Sequence, residues 1–321
     1  MRGGADYVIK RAIFALVTVF VAITLNFVLF RLAPGTAVAN VARVPGASPE
    51  LRAELTREFG LDKSKWEQYV IYLGQLARGN LGVSFATREP VREELGTALV
   101  NTLPMVALGE LFAIVVGTAV GVIAAWRRGT AVDKGGVAVG LFFYSLPTQW
   151  LGLMMLLLFA GILPSGGRES LFLSDPTPWR HFLDVLKHMI LPSMTLGLVL
   201  FGEYTIVARS SMLETLGEDY ILTARAKGLR DRRIVRRHAF RNALLPITTM
   251  VAISLGYIVA GSILAESVFS WPGIGKLMYD SVGQRDYPLL QGVFLLLTIS
   301  VVLANFVADL LYFKLDPRIR E

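Results

Sequence analysis

Long apolar runs alternate along the chain with shorter stretches rich in charge, Pro and Gly. A helix rises about 1.5 Å per residue and the hydrocarbon core of a bilayer is about 30 Å thick, so about 18 to 25 apolar residues suffice to cross it. The pattern predicts about six membrane-spanning helices. These cover approximately residues 12–30, 103–126, 136–161, 191–208, 244–266 and 289–313.

Composition agrees with a membrane protein, because 54% of the 321 residues are hydrophobic and 18% are charged. The net charge of +7 would suggest a nucleic-acid partner in a soluble protein. Here the positions of Lys and Arg explain it better, and no nucleic-acid partner is expected. The absence of Cys excludes disulfides and thiolate metal sites. The histidines, His181, His188 and His238, show no metal-ligand spacing, so no metal site is expected.

Basic residues indicate the orientation of the chain in the membrane. They concentrate in the connections 127–134 and 209–241 and in the tail 314–320, which lie on one side if the N-terminus is inside. Both termini are therefore expected in the cytoplasm. The first apolar run is too long for a signal peptide and no small-residue cleavage site follows it, so a retained anchor is expected.

The segment 32–99 is predicted to be a helical loop outside the membrane. One helix should begin at Ser48 and end near Gly60, and a second should span Ser64 to Arg78. In the second helix, helical spacing places an apolar face on one side, made of Trp66, Tyr69, Val70, Leu73 and Ala77. This face either packs on the outer ends of the spanning helices or forms a docking surface for an external partner.

The segment 209–243 contains a short predicted helix, Asp219 to Lys227, followed by a basic run. Gly228 is a natural helix stop. Attraction to anionic lipid would explain the arginines that follow Gly228. It would not explain the small residues Thr223, Ala224 and Ala226, which would let the surface of another protein approach closely.

Three stretches together resemble permeases of binding-protein-dependent ABC importers, in the dipeptide, oligopeptide and nickel branch. The first, here called the inner signature, is Asp219–Leu229 with His238–Pro246 following it. The second is Phe59–Asp62 with Trp66, Gln68 and Tyr69, followed by Arg78–Gly82. The third, here called the outer signature, is Phe269–Gly273 with Arg285–Pro288 and Gln291–Gly292, and a short surface helix, Ile274 to Val282, is expected inside it.

The inner signature departs from the wider superfamily at two positions. Leu222 and Lys227 stand where Glu and Asp are usual, a variant of the peptide branch. No acidic anchor is therefore expected in this helix.

The resemblance implies an all-α integral membrane protein with six spanning helices, the type I ABC importer permease fold, in the bacterial cytoplasmic membrane. Residues 1–31 would be the first helix, 32–99 the outer loop and 100–321 the core, with 209–243 as its coupling segment. The implied partners are a second homologous permease, two ATP-binding subunits, an external solute-binding protein and membrane lipid. The sequence has no GxxxxGK[ST] loop, so ATP and Mg²⁺ would bind the partner ATPases, this chain would bind no cofactor, and it would not be an enzyme.

The resemblance also assigns roles to individual residues. The coupling contacts with an ATPase would be Asp219, Tyr220, Thr223, Ala224, Arg225, Ala226, Lys227, Gly228 and Leu229. The contacts of the outer mouth with a binding protein would be Trp66, Tyr69, Phe269, Trp271, Pro272, Asp286 and Tyr287. On physical grounds alone, the stretch that contains Phe269–Tyr287 is a structural cap over a cavity mouth.

Acidic residues in or at the edge of apolar runs need a partner or a wet cavity, since burying such a charge costs at least about 2.5 kcal/mol. They are Glu110, Glu203, Glu266 and Asp309. Glu110, Glu203 and Glu266, together with the polar Gln149, are candidates for the translocation path. The other interpretation is hydrogen bonding between helices, or a boundary position for Glu266 and Asp309.

Alternative functions remain open at this point. The same architecture imports nickel, haem or other small solutes, because the binding protein sets the choice. A polytopic enzyme would need convergent catalytic groups and a channel would need a repeated polar filter, and neither pattern is visible.

Overall fold

A computed structural model describes residues 2–32, 48–58, 62–170, 177–257 and 263–315. Within these ranges the chain is mostly helical, as predicted. The extended pairing found in the same ranges is an isolated antiparallel bridge between Val83 and Pro90.

The described helices, in chain order, are α1 (Arg2–Phe27), α2 (Pro49–Glu58), α3 (Lys65–Ala77), α4 (Val91–Phe112), α5 (Thr118–Trp126), α6 (Ala131–Ser145), α7 (Thr148–Leu158), α8 (Pro178–Leu216), α9 (Asp219–Ala226), α10 (Asp231–Arg233), α11 (Phe240–Tyr257), α12 (Ile263–Val268), α13 (Ile274–Gln284) and α14 (Tyr287–Leu315). Three π-helical stretches continue α1, join α4 to α5 and join α10 to α11: Val28–Leu32, Ala113–Gly117 and Ile234–Ala239.

Among the described residues, four helical stretches are long and apolar enough to cross a membrane. They are Asp6–Phe30, Val91–Trp126, Pro178–Leu216 and Tyr287–Leu310. The helices α6 and α7 form a fifth candidate if the bent pair is one span. The chain is therefore a multi-pass membrane protein.

The prediction of one continuous helix over 136–161 is wrong, because α6 and α7 meet at a bend of 104°. Pro147 causes the break: its ring disfavours helical geometry at the residue before it, and Leu146 has an extended ψ of 132°. The run predicted over 244–266 corresponds to α11 and α12, and residues 258–262 between them lie outside the described residues.

Packing divides the chain into two compact units. The terminal unit comprises Met1–Thr102 and Pro272–Glu321, and the central unit comprises Leu103–Trp271.

In the terminal unit α1 packs along α14. Arg11 Nη1 lies 3.1 Å from Asp309 Oδ2, so Asp309 has the partner that its position in an apolar run requires. Asn26 Nδ2 donates a hydrogen bond to the carbonyl oxygen of Gln291 at 3.0 Å.

In the central unit α5, α6, α7 and α11 all pack against α8. Small residues let the backbones approach closely, which is how helices associate in a membrane. A Cβ placed on Gly197 of α8 would lie 2.8 Å from the carbonyl oxygen of Gly109 in α4, too close for a side chain. Gly202 of α8 meets the backbone of Gly140 in α6 in the same way.

The predicted outer-loop helices are confirmed where they are described. Ser64 caps α3 in a capping box with Glu67, as its sequence position predicts. The Ser64 side chain and backbone both donate to the Glu67 carboxylate, and these hydrogen bonds lower the pKa of Glu67 from its ordinary value. The helix ends at Ala77, and Gly79 just beyond it has a φ of +72° that is easy only for Gly. The first predicted outer helix is α2, and Phe59–Leu61 after it lie outside the described residues.

Candidate coupling and translocation sites

The inner signature begins with a helix that is mounted on the core of the central unit. The helix α8 ends at Gly217, and α9 follows at once. Ile221 and Ala224 of α9 are 0% and 5% exposed, and they pack with Met212 and Ala125. Ala224 was expected to be a small residue that a partner approaches. It contacts the chain's own core instead, because the helix turns this face toward α5 and α8.

The opposite face of α9 is open. Tyr220, Leu222, Thr223, Arg225 and Ala226 are exposed, and Leu222 has 56% of its surface free. An exposed Leu beside Arg225 suits a groove that is apolar at its centre and acidic at its rim. The exposed residues Asp219, Lys227 and Gly228 flank this face at its two ends.

The stretch after α9 returns to the core and fixes the helix from its other end. Gly228 has φ +70°, which reverses the chain, and Leu229 packs on the cluster that contains Ile221. Asn242 Nδ2 donates to the Tyr220 hydroxyl at 2.7 Å. Ile234, in the third π-helical stretch, is fully buried in the same cluster. The helix α9 is therefore held in the core of the central unit by one face, while its other face is open.

Glu110 is buried in the central unit, where it has a hydrogen-bond partner. The Tyr204 hydroxyl donates to Glu110 Oε1 at 2.5 Å, and Ser254 Oγ lies 3.3 Å from the same hydroxyl. Glu110 is 6% exposed and Tyr204 is fully buried. The π-helical stretch Ala113–Gly117 begins three residues after Glu110, and such stretches often occur at functional sites.

The other polar path candidates have different surroundings. Glu203, in the middle of α8, is exposed, and so is Gln149, directly after the bend at Pro147. Glu266 of α12 is fully buried. Within this chain Glu203 and Gln149 are therefore open to a cavity or a partner, whereas Glu110 and Glu266 are enclosed.

A bidentate ion pair in the central unit was missed by sequence reasoning. Arg209 of α8 donates from Nε to Asp133 Oδ1 at 2.6 Å and from Nη2 to Oδ2 at 3.0 Å. Asp133 lies in the first turn of α6, and its side chain is 5% exposed. The two residues are 76 positions apart, so no local pattern could have indicated the pair.

Phe269 and Trp271 of the outer signature are buried, which does not suit their expected role as partner contacts. Phe269 and Trp271 are 2% and 1% exposed. Trp271 packs in the central unit against Met105 and Leu196. The tight turn at Ser270, with φ +49°, aims these rings into the protein.

Asp286 is also buried, which does not suit its expected role as an outer contact. It accepts hydrogen bonds from Ser84 Oγ at 2.5 Å and the Ala86 N–H at 3.0 Å. The Leu289 N–H donates to it at 3.2 Å, so Asp286 caps α14 and holds the 84–86 loop of the terminal unit.

The remaining outer candidates are accessible to different degrees. Pro272 is exposed, and Tyr287 is half-buried with its ring 6.3 Å from that of Phe30. The predicted surface helix between them is confirmed as α13.

The predicted apolar face of α3 divides into two parts. Tyr69 packs on α1, with its hydroxyl 2.7 Å from Thr24 Oγ1, as the packing interpretation expects. Trp66 and Val70 are 71% and 53% exposed, which leaves them open for a partner. The buried face of α3 is instead that of Gln68 and Tyr72.

A concave surface of the terminal unit also escaped sequence reasoning. It is an open cleft of about 420 Å³, lined by Glu89, Glu93, Glu94, Thr97, Ala98, Asn101, Pro272, Gly273, Lys276, Leu277 and Asp280. Lys276 Nζ lies 2.8 Å from Asp280 Oδ2. The other three acids give the cleft a negative field, which attracts cations.

The described residues contain no group of three or more His, Asp or Glu side chains that could hold a metal ion.

Comparisons with known proteins cover nearly the whole chain. The family described as "Binding-protein-dependent transport system inner membrane component" matches residues 117–321, and a model described as "Binding-prot-dependent transport system membrane comp, N-term" matches residues 5–106. The chain is 41% identical to the dipeptide transport system permease protein DppB of Escherichia coli (strain K12), over 98% of both chains. It is 42% identical to the di/tripeptide transport system permease protein DppB of Pseudomonas aeruginosa (strain UCBPP-PA14), again over 98% of both.

More distant similarity extends the comparison. The chain is 34% identical to the glutathione transport system permease protein GsiC of Escherichia coli O6:H1, over 98% of this chain and 99% of the relative. Among solved structures it resembles a chain of the MetNI methionine ABC transporter in inward-facing conformations, with a TM-score of 0.54 and 23% identity. That match covers 69% of this chain and 96% of the other, and it shows the fold alone.

Proposed function

Because the chain belongs to the family of binding-protein-dependent transport system inner membrane components, we propose that it forms half of the membrane pathway of an ATP-driven importer of dipeptides and other short peptides. Like its relatives, it is a permease subunit of an ABC importer, and it is not itself an enzyme. The peptide assignment rests on sequence identity: the chain is at least 41% identical, over 98% of its length, to a dipeptide permease and a di/tripeptide permease.

The proposed architecture has six spanning helices, with both termini in the cytoplasm of a bacterium. The pairing of Arg11, near the start of α1, with Asp309, near the end of α14, supports termini on one side of the membrane. The positive charge of the connections 127–134 and 209–241 supports that side being the cytoplasmic one. Within this arrangement we retain residues 1–31, 32–99 and 100–321 as anchor, outer loop and core.

The proposed assembly contains a second homologous permease, two ATP-binding subunits and an external binding protein, surrounded by membrane lipid. Family membership implies ATPase and binding-protein partners. ATP and Mg²⁺ would bind the ATPases, and nucleic acid has no role.

Coupling would run through the open face of α9. When the ATPases close, a groove that holds Leu222 and Arg225 would carry α9 with it. The buried face of α9, with Ile221 and Ala224, ties that motion to α5 and α8. Alternating access then follows from rocking of the spanning helices.

The translocation path would be lined by Glu203 and Gln149, since both are exposed in the isolated chain. A carboxylate such as Glu203 can accommodate the ammonium end of a peptide. Glu110 would support the path from behind, through Tyr204. Glu266 is enclosed and would contribute through packing.

Reconstitution tests the substrate class. The chain, its sister permease, the two ATPase subunits and the binding protein would be placed in liposomes. We expect ATP-dependent uptake of radiolabelled dipeptide. Preference for glutathione, nickel or haem over dipeptides would contradict the peptide assignment, and uptake without ATPases would contradict the whole proposal.

A further inference from the structure

The central unit holds an ion pair between buried Asp133 and half-buried Arg209, which joins α6 to α8 close to the inner signature. Besides the two bonds from Arg209, one to each carboxylate oxygen, Asp133 accepts the Gly129 N–H at Oδ2, 2.9 Å away. Thr130 caps α6 at the same place. A bidentate Arg–carboxylate pair fixes the direction of both side chains far better than a single ion contact does. Removing Arg209 leaves the buried Asp133 carboxylate without its charged partner.

Arg209 lies one helical turn before the residues that hold α9. Met212 of α8 and Ala125 of α5 contact the buried face of α9, at Ile221 and Ala224. A displacement of α9 is therefore transmitted to the stretch of α8 that carries Arg209. From there the ion pair passes it to Asp133, and so to the first turn of α6.

A second contact prevents α6 from rotating about that point. Gly140 of α6 meets Gly202 of α8 backbone to backbone, two turns further along. Two separated attachment points make α6 and α8 move together. The helix α6 then leads to the bend at Pro147 and to Gln149, a candidate path residue.

From this geometry we propose that Asp133 and Arg209 are positioning residues for transport: they form a latch that makes α6 follow α8 when α9 is displaced. The proposal rests on the proposed function of α9 as the coupling helix. Neither residue needs to touch ATP or the transported solute. Their effect is on how much transport each ATP hydrolysis produces.

The test is the ratio of solute transported to ATP hydrolysed in the reconstituted complex. Asp133→Asn and Arg209→Gln should lower this ratio about tenfold, a usual size for residues that carry coupling between sites. The double variant should be no worse than either single one, because each change breaks the same pair. Asp133→Glu, which keeps a carboxylate, should recover part of the ratio. The matched control is Arg127→Gln, which removes an exposed charge from the same connection and should leave the ratio unchanged.

A merely structural role predicts something different. If the ion pair only stabilises the fold, uptake and ATP hydrolysis would fall in the same proportion, following the amount of assembled complex, and the ratio would stay at the wild-type value. That result, or wild-type values in both single variants, would overturn the proposal.

A distance measurement keeps the test independent of transport. The chain has no Cys, so spin labels on Val132→Cys and Glu214→Cys report only on those exposed positions of α6 and α8. In the complex with Asp133 and Arg209 intact, one narrow distance should persist with and without ATP. Adding Arg209→Gln should broaden it, and an unchanged distribution would reject the latch. If the wild-type complex failed to import dipeptide, the proposed function would fail while this distance test still decided the latch.

Discussion

The inner and outer signatures look alike as sequence, since both combine aromatic, charged and turn residues, yet they are used in opposite ways. The inner signature keeps one face of α9 open, with Leu222 56% exposed, while its other face is locked into the central unit. The outer signature turns its most prominent residues inward: Trp271 and Asp286 are 1% and 0% exposed. The exposed residues of the inner signature can contact a partner directly. The buried residues of the outer signature instead stabilise the fold of the segment that a partner contacts.

The largest expected effect comes from the outer signature. Trp271→Ala removes a buried ring from the central unit and should cost about 3 to 5 kcal/mol of stability. Thermal unfolding of the purified complex measures this. Trp66→Ala is the matched control, because Trp66 is 71% exposed and its loss should leave the unfolding temperature nearly unchanged. Equal losses in both variants would remove the contrast between buried and open aromatic residues.

Neighbouring residues in α9 sharpen the comparison within the inner signature. Ile221→Ala opens a cavity at a fully buried site and should cost about 2 to 5 kcal/mol of stability. Leu222→Ala changes an exposed side chain, so the unfolding temperature should hold while the affinity for the ATPase subunits falls. Co-purification yield and thermal unfolding separate the two. If both variants lost the same stability and the same affinity for the ATPases, α9 would not have one buried and one open face.

Asp286→Asn tests whether the outer carboxylate is structural. The carboxylate accepts hydrogen bonds from Ser84, Ala86 and Leu289, and an amide can replace them only in part. We expect a loss of about 1 to 3 kcal/mol in thermal unfolding, the usual cost of leaving buried groups unsatisfied. A variant of normal stability that no longer binds the external protein would restore the partner-contact interpretation.

The smallest expected effect is at the capping box of α3. The hydrogen bonds from Ser64 lower the pKa of Glu67 in the folded protein, so its stabilising effect is present above the ordinary Glu value. It is lost as the pH falls through the lowered pKa. Glu67→Gln should therefore unfold slightly earlier than wild type at neutral pH, and the difference should vanish in acid. A difference that is constant with pH would show that the charge is not responsible.

Local features of the fold were predictable from the sequence. The helix α3 was expected between Ser64 and Arg78, and α13 was expected from Ile274, because caps, turns and apolar spacing act over a few residues. The long apolar runs also predicted most of the spanning stretches, because hydrophobicity is a local property of the sequence. The bend at Pro147 was not expected, since a spanning helix often keeps its direction through a Pro.

Contacts between residues far apart in the chain could not be predicted from the sequence. Whether Ala224 faces the core or a partner depends on how α9 lies on α5 and α8, which no local pattern sets. The aromatic rings of the outer signature suited a membrane boundary, yet packing against Met105 and Leu196 placed Trp271 inside the protein. The Asp133–Arg209 pair joins residues 76 positions apart and leaves no signal in either local sequence.

Labelling at Leu222→Cys tests the central claim most directly, because the native chain has no other Cys. A membrane-impermeant maleimide should react with this position only from the cytoplasmic side, in inside-out vesicles, and bound ATPase subunits should protect it. Reaction from the outer side, or reaction that the ATPases leave unchanged, would contradict the assignment of α9 as the contact through which ATP hydrolysis drives import.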